Sequence, residues 1–360
     1  MHVIAGLGGL VLILAMLVEF FVAFMLPRRV KRDPRIARGI YQALWRPWRA
    51  TAALLSPAAE DTVLGFFGPL ALLIELVVWV LGIMVGFSLL QWAFGSKLGA
   101  GTHDFGDDLY FSSGDFLSAA VSGAPVGGAA KALSLAEAAT GVGVLFIVIG
   151  YLPSIYFAFS RREIAVSQLA SRAGTPPSAV HLLRRISERD RWDHLRDYLG
   201  EAEGWVAEMM ETHLSYPLLA YYRSQHVNQN WLAALTTIVD TSAAIIAALP
   251  EGVPGVAEQT YAIGRHALSD LAHTFYVPAA EADRLTDDAF NDVWEAVETH
   301  PFRDPATDSE TMRRRLDHLR NAYEPNAIGL SVALALPIPG WAPGEGGRRA
   351  PRRRGRRNNG

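Results

Sequence analysis

His266, Asp270 and His273 have the types and spacing to hold a divalent metal. Offsets of four and seven place them on one face of a helix, and two imidazoles with a carboxylate suit such an ion. No fourth ligand accompanies them, and stray histidines on a helix are the commoner explanation, so no metal site is assigned. Gly6-Leu7-Gly8-Gly9 opens an apolar run rather than following a strand, so it is not a dinucleotide fingerprint. The stretch 123–131 is glycine-rich but lacks the Gly-Lys-Ser/Thr ending of a phosphate loop. Serine, histidine and aspartate occur without an elbow motif to aim a nucleophile. The chain has no cysteine, which excludes disulfides, zinc–thiolate sites, iron–sulfur clusters and thiol nucleophiles. The expectation is a protein that is not an enzyme and carries no cofactor.

Two carboxylates stand where carboxylates are costly. Glu19 and Glu75 are each the one ionisable side chain in a long apolar run, at similar depth, roughly 8–11 Å from the cytoplasmic ends of those runs. No Lys or Arg shares that depth. If the two runs pack together, the two acids meet and share a hydrogen bond; the alternative is two separate acids, each bonded to a carbonyl.

The elements that must carry these residues are membrane helices. Residues 3–26 form an apolar run of 24 residues, about 36 Å as a helix, enough for a hydrocarbon core of about 30 Å. A secretory signal peptide fits less well, because the run is long, lacks a basic start and has no small-residue cleavage site. A second run covers 63–94, with Gly68-Pro69 marking where an interfacial entry becomes the span 70–94. A third covers 138–159 without a charge. Residues 28–62 carry eight Arg/Lys against three acids, and 95–137 two Lys against five acids. The excess of positive charge puts 28–62 in the cytoplasm and 95–137 outside, and Arg161-Arg162 then follow the third span on the inner side. The N-terminus is therefore outside and the C-terminus cytoplasmic, in a plasma or inner membrane. Ile36, Ile40, Leu44 and Trp48 recur every four residues among arginines, an interfacial helix with Trp45 and Trp48 at headgroup depth; Pro34 and Pro47 also allow a solvated basic linker.

Between the second and third spans, Leu109-Tyr110-Phe111 and Phe116-Leu117 make an apolar stretch too short to cross but able to re-enter. Here the chain resembles the bacterial two-transmembrane-type potassium channel family, in a form with an extra N-terminal helix. Asp108-Leu109-Tyr110-Phe111-Ser112-Ser113 looks like the opening of a pore helix. Lys131, Glu137, Gly141-Val142-Gly143 and Ile149-Gly150-Tyr151-Leu152-Pro153-Ser154-Ile155-Tyr156 resemble the segment after the pore in that family. Leu26-Pro27-Arg28-Arg29-Val30, Trp45-Arg46-Pro47-Trp48-Arg49, Phe67-Gly68-Pro69, Leu214-Ser215-Tyr216-Pro217 and Tyr221-Tyr222-Arg223-Ser224-Gln225-His226 extend the likeness over most of 15–250. The resemblance implies a filter of Thr-Val-Gly-Tyr-Gly type at Ser118, Ala119, Ala120, Val121 and Ser122. Alanine and serine replace both glycines there, and a ladder of inward carbonyls needs those glycines.

The rest reads as helical and cytoplasmic. Thr175-Pro176-Pro177-Ser178, Thr286-Asp287-Asp288 and Thr307 with Glu310 look like helix starts. Residues 231–249 are a buried bundle helix or a fourth span. The tail is rich in Gly, Pro and Arg, with seven arginines after 347, and is expected to be disordered; it either contacts anionic lipid or is simply solvated. It lacks the interleaved aromatics of a nucleic-acid binder.

The expected architecture is all-α integral membrane: three transmembrane helices, a re-entrant pore-helix-like segment and a cytoplasmic helical domain. Its parts are a first span (1–27), a basic interfacial segment (28–62), a channel-like pore domain (63–160), a helical domain (161–340) and the tail (341–360). The expected function is an ion-channel-like homotetramer, not potassium-selective, whose partners are the bilayer, monovalent cations and anionic headgroups at the basic segments, with no nucleic acid. The alternative is a non-conducting scaffold or sensor that keeps the pore architecture.

Overall fold

A computed structural model of the chain describes residues 2–24, 36–94, 104–119, 127–187, 192–226, 228–249, 255–281, 283–298, 300 and 302–344. Among these residues all regular structure is helical, and the chain divides into two compact units, Met1–Phe157 and Ala158–Gly360. Four helices are long and apolar enough to cross a membrane, as an all-α membrane protein requires.

The first unit is built on α1 (His2–Phe24), α2 (Ile36–Ala52), α3 (Pro57–Phe94), α4 (Phe105–Phe116) and the first two-thirds of α5 (Gly128–Ala173). Glycines set the approach of α1 to α3. An ideal Cβ on Gly9 would lie 2.5 Å from the Gly86 carbonyl oxygen, and one on Gly86 would lie 2.5 Å from Ile13 Cγ1. Gly82 and Gly86 are four apart, the small-residue spacing that lets backbones touch where lipid supplies no hydrophobic drive. Gly6 meets Ala93, Gly9 meets Gly86, Gly82 meets Met16 and Phe20 meets Trp79, so the two helices run antiparallel. Ile13, Met16, Phe20, Trp79, Ile83, Phe87, Phe116 and Val144 belong to one buried cluster. Outward, Leu7, Leu14, Phe21, Phe66, Leu73, Leu81, Phe146 and Ile149 are each more than half exposed, an apolar surface larger than a water-facing protein ordinarily presents.

Two boundaries differ from the sequence reading. Gly68-Pro69 does not divide α3, which is continuous from Pro57; the helix takes in the last residues assigned to the interfacial segment. The second helix, α2, packs on α3. Tyr41, Trp45 and Ala52 are buried, Trp45 meets the Phe67 ring edge-on at 4.8 Å, and Trp48 Nε1 donates to the Val63 carbonyl at 3.0 Å. Its buried face is thus centred one residue beyond the Ile40, Leu44, Trp48 stripe, because the aromatic rings reach α3 first.

The second unit contains the last turns of α5, then α6 (Ala179–Ser187), α7 (Trp192–Ser215), a 3-10 turn (Pro217–Tyr221), α8 (Trp231–Ala248), α9 (Val256–Thr274), α10 (Asp287–Glu298), α11 (Ser309–Asn321) and α12 (Glu324–Leu334). Its caps follow local chemistry. Ser178 Oγ accepts from the His181 N–H, Asn230 Oδ1 from Ala233 and Thr286 Oγ1 from Ala289. Asp308, not Thr307, caps α11 by accepting from Thr311. The central helix is α8: every residue except Ile246 is buried, with α6, α7, α9, α10, α11 and α12 around it. Trp341 and Ala342, placed by sequence at the start of the tail, are buried in this core, because the chain after α12 turns back across it.

Candidate functional site

The geometry that distinguishes the first unit is the path of α4. Asp104 caps it, accepting from the Asp107 N–H at 3.0 Å while the Asp107 side chain accepts from the Asp104 N–H. The acids of its first turn, Asp107 and Asp108, suit the positive end of the helix dipole. Phe105 sits edge-on to Trp92 near the end of α3, and one face of the helix, through Asp108, Phe111, Ser112 and Phe116, is buried.

Three ties fix the depth and rotation of α4. Ser112 Oγ donates to Glu137 Oε1 at 2.5 Å, and the Ser134 hydroxyl donates to Asp115. At the lower end the Phe116 carbonyl presses on α5 so closely that an ideal Cβ at Gly141 would lie 2.0 Å from it; only glycine fits. Ser112 meets residue 137, Asp115 meets residue 134 and the Phe116 carbonyl meets residue 141, so α4 crosses α5 between residues 134 and 141. Against α3, Phe105 meets Trp92 and Ser112 Oγ lies 3.5 Å from the Met84 carbonyl, so α4 runs back antiparallel along α3. Its end lies level with a point 13 residues, about 20 Å, into α5.

The helix ends there in a tight C-terminal turn. Ser118 takes a left-handed φ of 53°, its N–H donates to the Asp115 carbonyl at 3.1 Å, and the Ala119 N–H donates to the Gly114 carbonyl at 2.8 Å. Of the five residues assigned to the filter position, Ser118 and Ala119 therefore close α4 and are exposed, while Ala120, Val121 and Ser122 lie outside the described residues.

Glu19 and Glu75 both find partners on α2. Glu75, 3 % exposed, accepts from the Tyr41 hydroxyl. Half-buried Glu19 accepts from the Ala37 N–H at 3.2 Å, in the first turn of α2, where helical N–H groups have no partner within the helix. The two carboxylates are near enough to act on each other electrostatically, but each takes its hydrogen bond from α2. Sequence reasoning missed Tyr41, whose spacing with Trp45 was the available signal. It also did not pair Ser112 with Glu137, since 25 residues and no shared periodicity separate them.

In the second unit, His266 Nε2 is 3.5 Å from Asp270 Oδ2, whereas His273 stacks on Tyr276. Among the described residues no three metal-binding side chains come together. A buried ionic group does form: Arg284 donates to Asp240 at 2.8 and 3.0 Å, its Nε lies 2.8 Å from Glu324, and the Tyr323 hydroxyl donates to Asp240. Burial alone would lower the Arg284 guanidinium; the carboxylates of Asp240 and Glu324 outweigh it and hold the group above its ordinary range.

No family model, curated protein or solved structure matches the chain. Function therefore rests on the geometry and on the residues themselves.

Proposed function

We infer that the chain is the subunit of an oligomeric, ion-channel-like membrane protein with three transmembrane helices, α1, α3 and the first part of α5. The observation that carries the reading is α4: it runs back along α3 from Trp92 toward Met84 and ends with its Phe116 carbonyl against Gly141, about 20 Å along α5. A span, a re-entrant helix and a span bring irregular backbone to membrane depth, which survives only where protein or water covers it. The carbonyl end of α4 carries partial negative charge to that depth, which favours a monovalent cation over an anion. One such segment per chain needs about four copies to enclose a pathway, hence a homotetramer. Alanine and serine at the filter position argue against potassium selectivity.

In this reading the membrane is the plasma or inner membrane, the N-terminus is outside and the second unit is cytoplasmic. The eighth helix does not span, because the helices of its own unit and the Asp240–Arg284 pair already cover it. Basic residues of 28–62 and of the tail meet anionic headgroups.

Purified protein in liposomes tests the proposal. Cation flux above that of empty liposomes, with a potassium-to-sodium ratio far below that of a selective channel, is expected. A tetramer that passes no ion supports a second reading, a scaffold or sensor that keeps the pore architecture, which the missing filter glycines favour. A high potassium-to-sodium ratio refutes the filter assignment.

A further inference from the structure

After α12 the chain turns at Ala335, which has a left-handed φ of 53°, and runs as an irregular strap, Ala335-Leu336-Pro337-Ile338-Pro339-Gly340-Trp341-Ala342. Four of its alternate carbonyls are caught by four separate parts of the second unit. Arg223 donates to the Ala335 carbonyl at 2.9 Å, Asn230 Nδ2 to Pro337 at 2.8 Å, Arg284 to Pro339 at 2.9 Å, and the Val180 N–H to Trp341 at 3.1 Å. Two of the acceptors are prolines, which have no N–H to satisfy. An acceptor-rich strap thus lies on a surface of donors, and the match is by backbone position. Side chains add the apolar part: Leu336, Ile338 and Ala342 are buried, and Trp341 is wholly buried with the Arg320 guanidinium 5.8 Å from its ring.

The donors owe their aim to other contacts. Asn230 is held by its own role as the α8 cap, since Oδ1 accepts from Ala233 and leaves Nδ2 pointing to the strap. Arg284 is held by Asp240 and Glu324. The surface is therefore organised largely by the helices beneath the strap, as a peptide site is organised before its peptide arrives.

We propose that this surface is a recognition groove for extended peptides with alternate prolines and an aromatic anchor, occupied here by the chain's own residues 335–342. The groove gives the second unit a binding activity separate from any pore.

The test compares the full chain with one ending at Leu334, using a fluorescently labelled synthetic peptide of residues 333–344. The shortened chain is expected to bind the peptide saturably. The full chain, with its groove filled, should bind at least tenfold more weakly, and a peptide carrying Trp341→Ala should lose at least tenfold on the shortened chain. A shortened chain that keeps its helical signal and elution volume yet binds nothing overturns the proposal, as does equal binding to both chains. Where the shortened chain misfolds, the full chain with a protease site inserted after Ala335 decides. A cut segment that stays in place and is displaced by excess peptide supports the groove. A segment that leaves at once, or that no excess displaces, is ordinary core and overturns it.

Discussion

His213 shows how a single buried side chain sets a pH limit. It is fully buried; Nδ1 lies 2.8 Å from the Met209 carbonyl and Nε2 lies 3.3 Å from an Arg162 nitrogen. A carbonyl only accepts and a guanidinium only donates, so the ring is neutral with its proton on Nδ1. Burial, with the Arg162 charge beside it, drives the imidazole from its ordinary 6.5 down to about 3. The unfolded chain takes up a proton below about 6.5 and the folded chain does not, so this contribution is full above that value and is lost as pH falls toward 3. Each pH unit in that window costs about 1.4 kcal/mol. His213→Gln, which can still donate and accept, should lose this term; melting of wild type and variant between pH 7.5 and 5 in detergent should show the steeper fall in wild type. The Asp240–Arg284 pair makes a second residue-scale case. Asp240→Leu leaves a buried guanidinium short of a carboxylate and should cost about 3–5 kcal/mol, while the double change with Arg284→Met should recover much of that loss. Denaturant titration of the three variants measures the difference, and equal losses in single and double variants would show that the charges are not coupled.

At the scale of elements, the α1–α3 crossing depends on which glycines face the partner. Gly9→Ala drives a methyl group to 2.5 Å from the Gly86 carbonyl, a backbone atom that cannot turn aside, whereas Gly8→Ala meets nothing within 4 Å. In detergent Gly9→Ala should lower the melting temperature by several degrees, and Gly8→Ala should leave it unchanged or raise it, since alanine outranks glycine in a helix by about 1 kcal/mol. Similar losses for both would mean that the helices do not cross at Gly9. Apolar length made the helices legible in the sequence, since long runs need only counting. The crossing itself was not legible: Gly6, Gly8 and Gly9 look alike until a partner helix picks among them. The same limit explains the site. A short apolar element at 109–117 could be read from its length, but its placement comes from Ser112 on Glu137 and Phe116 on Gly141, contacts between residues with no shared period. The shift of the α2 face from Leu44 to Tyr41 and Trp45 is likewise a matter of which side chains reach α3.

For the whole molecule, the open question that length and composition left was α8, whose 18 residues suffice for a span. A span would place Asp240, the tenth residue of the helix, near the hydrocarbon midplane, at about 2.5–3.5 kcal/mol by insertion measurements. It would also strip that carboxylate of its bonds to Arg284 and Tyr323. Inside the second unit the same apolar surface is covered by six helices, so the hydrophobic gain is made without lipid. Crossing α8 would put the segments on either side of it in different compartments; packing it in a bundle keeps them together. The cysteine-free chain makes this testable with single additions. Gly128→Cys is exposed at the start of α5 with nothing near its added Cβ, and Gln225→Cys and Gln259→Cys are exposed on either side of α8. A membrane-impermeant maleimide applied to intact cells should label residue 128 alone, and residues 225 and 259 should react together once the membrane is opened. Reaction of 225 and 259 from opposite sides would make α8 a fourth span and would break up the core assigned to the second unit.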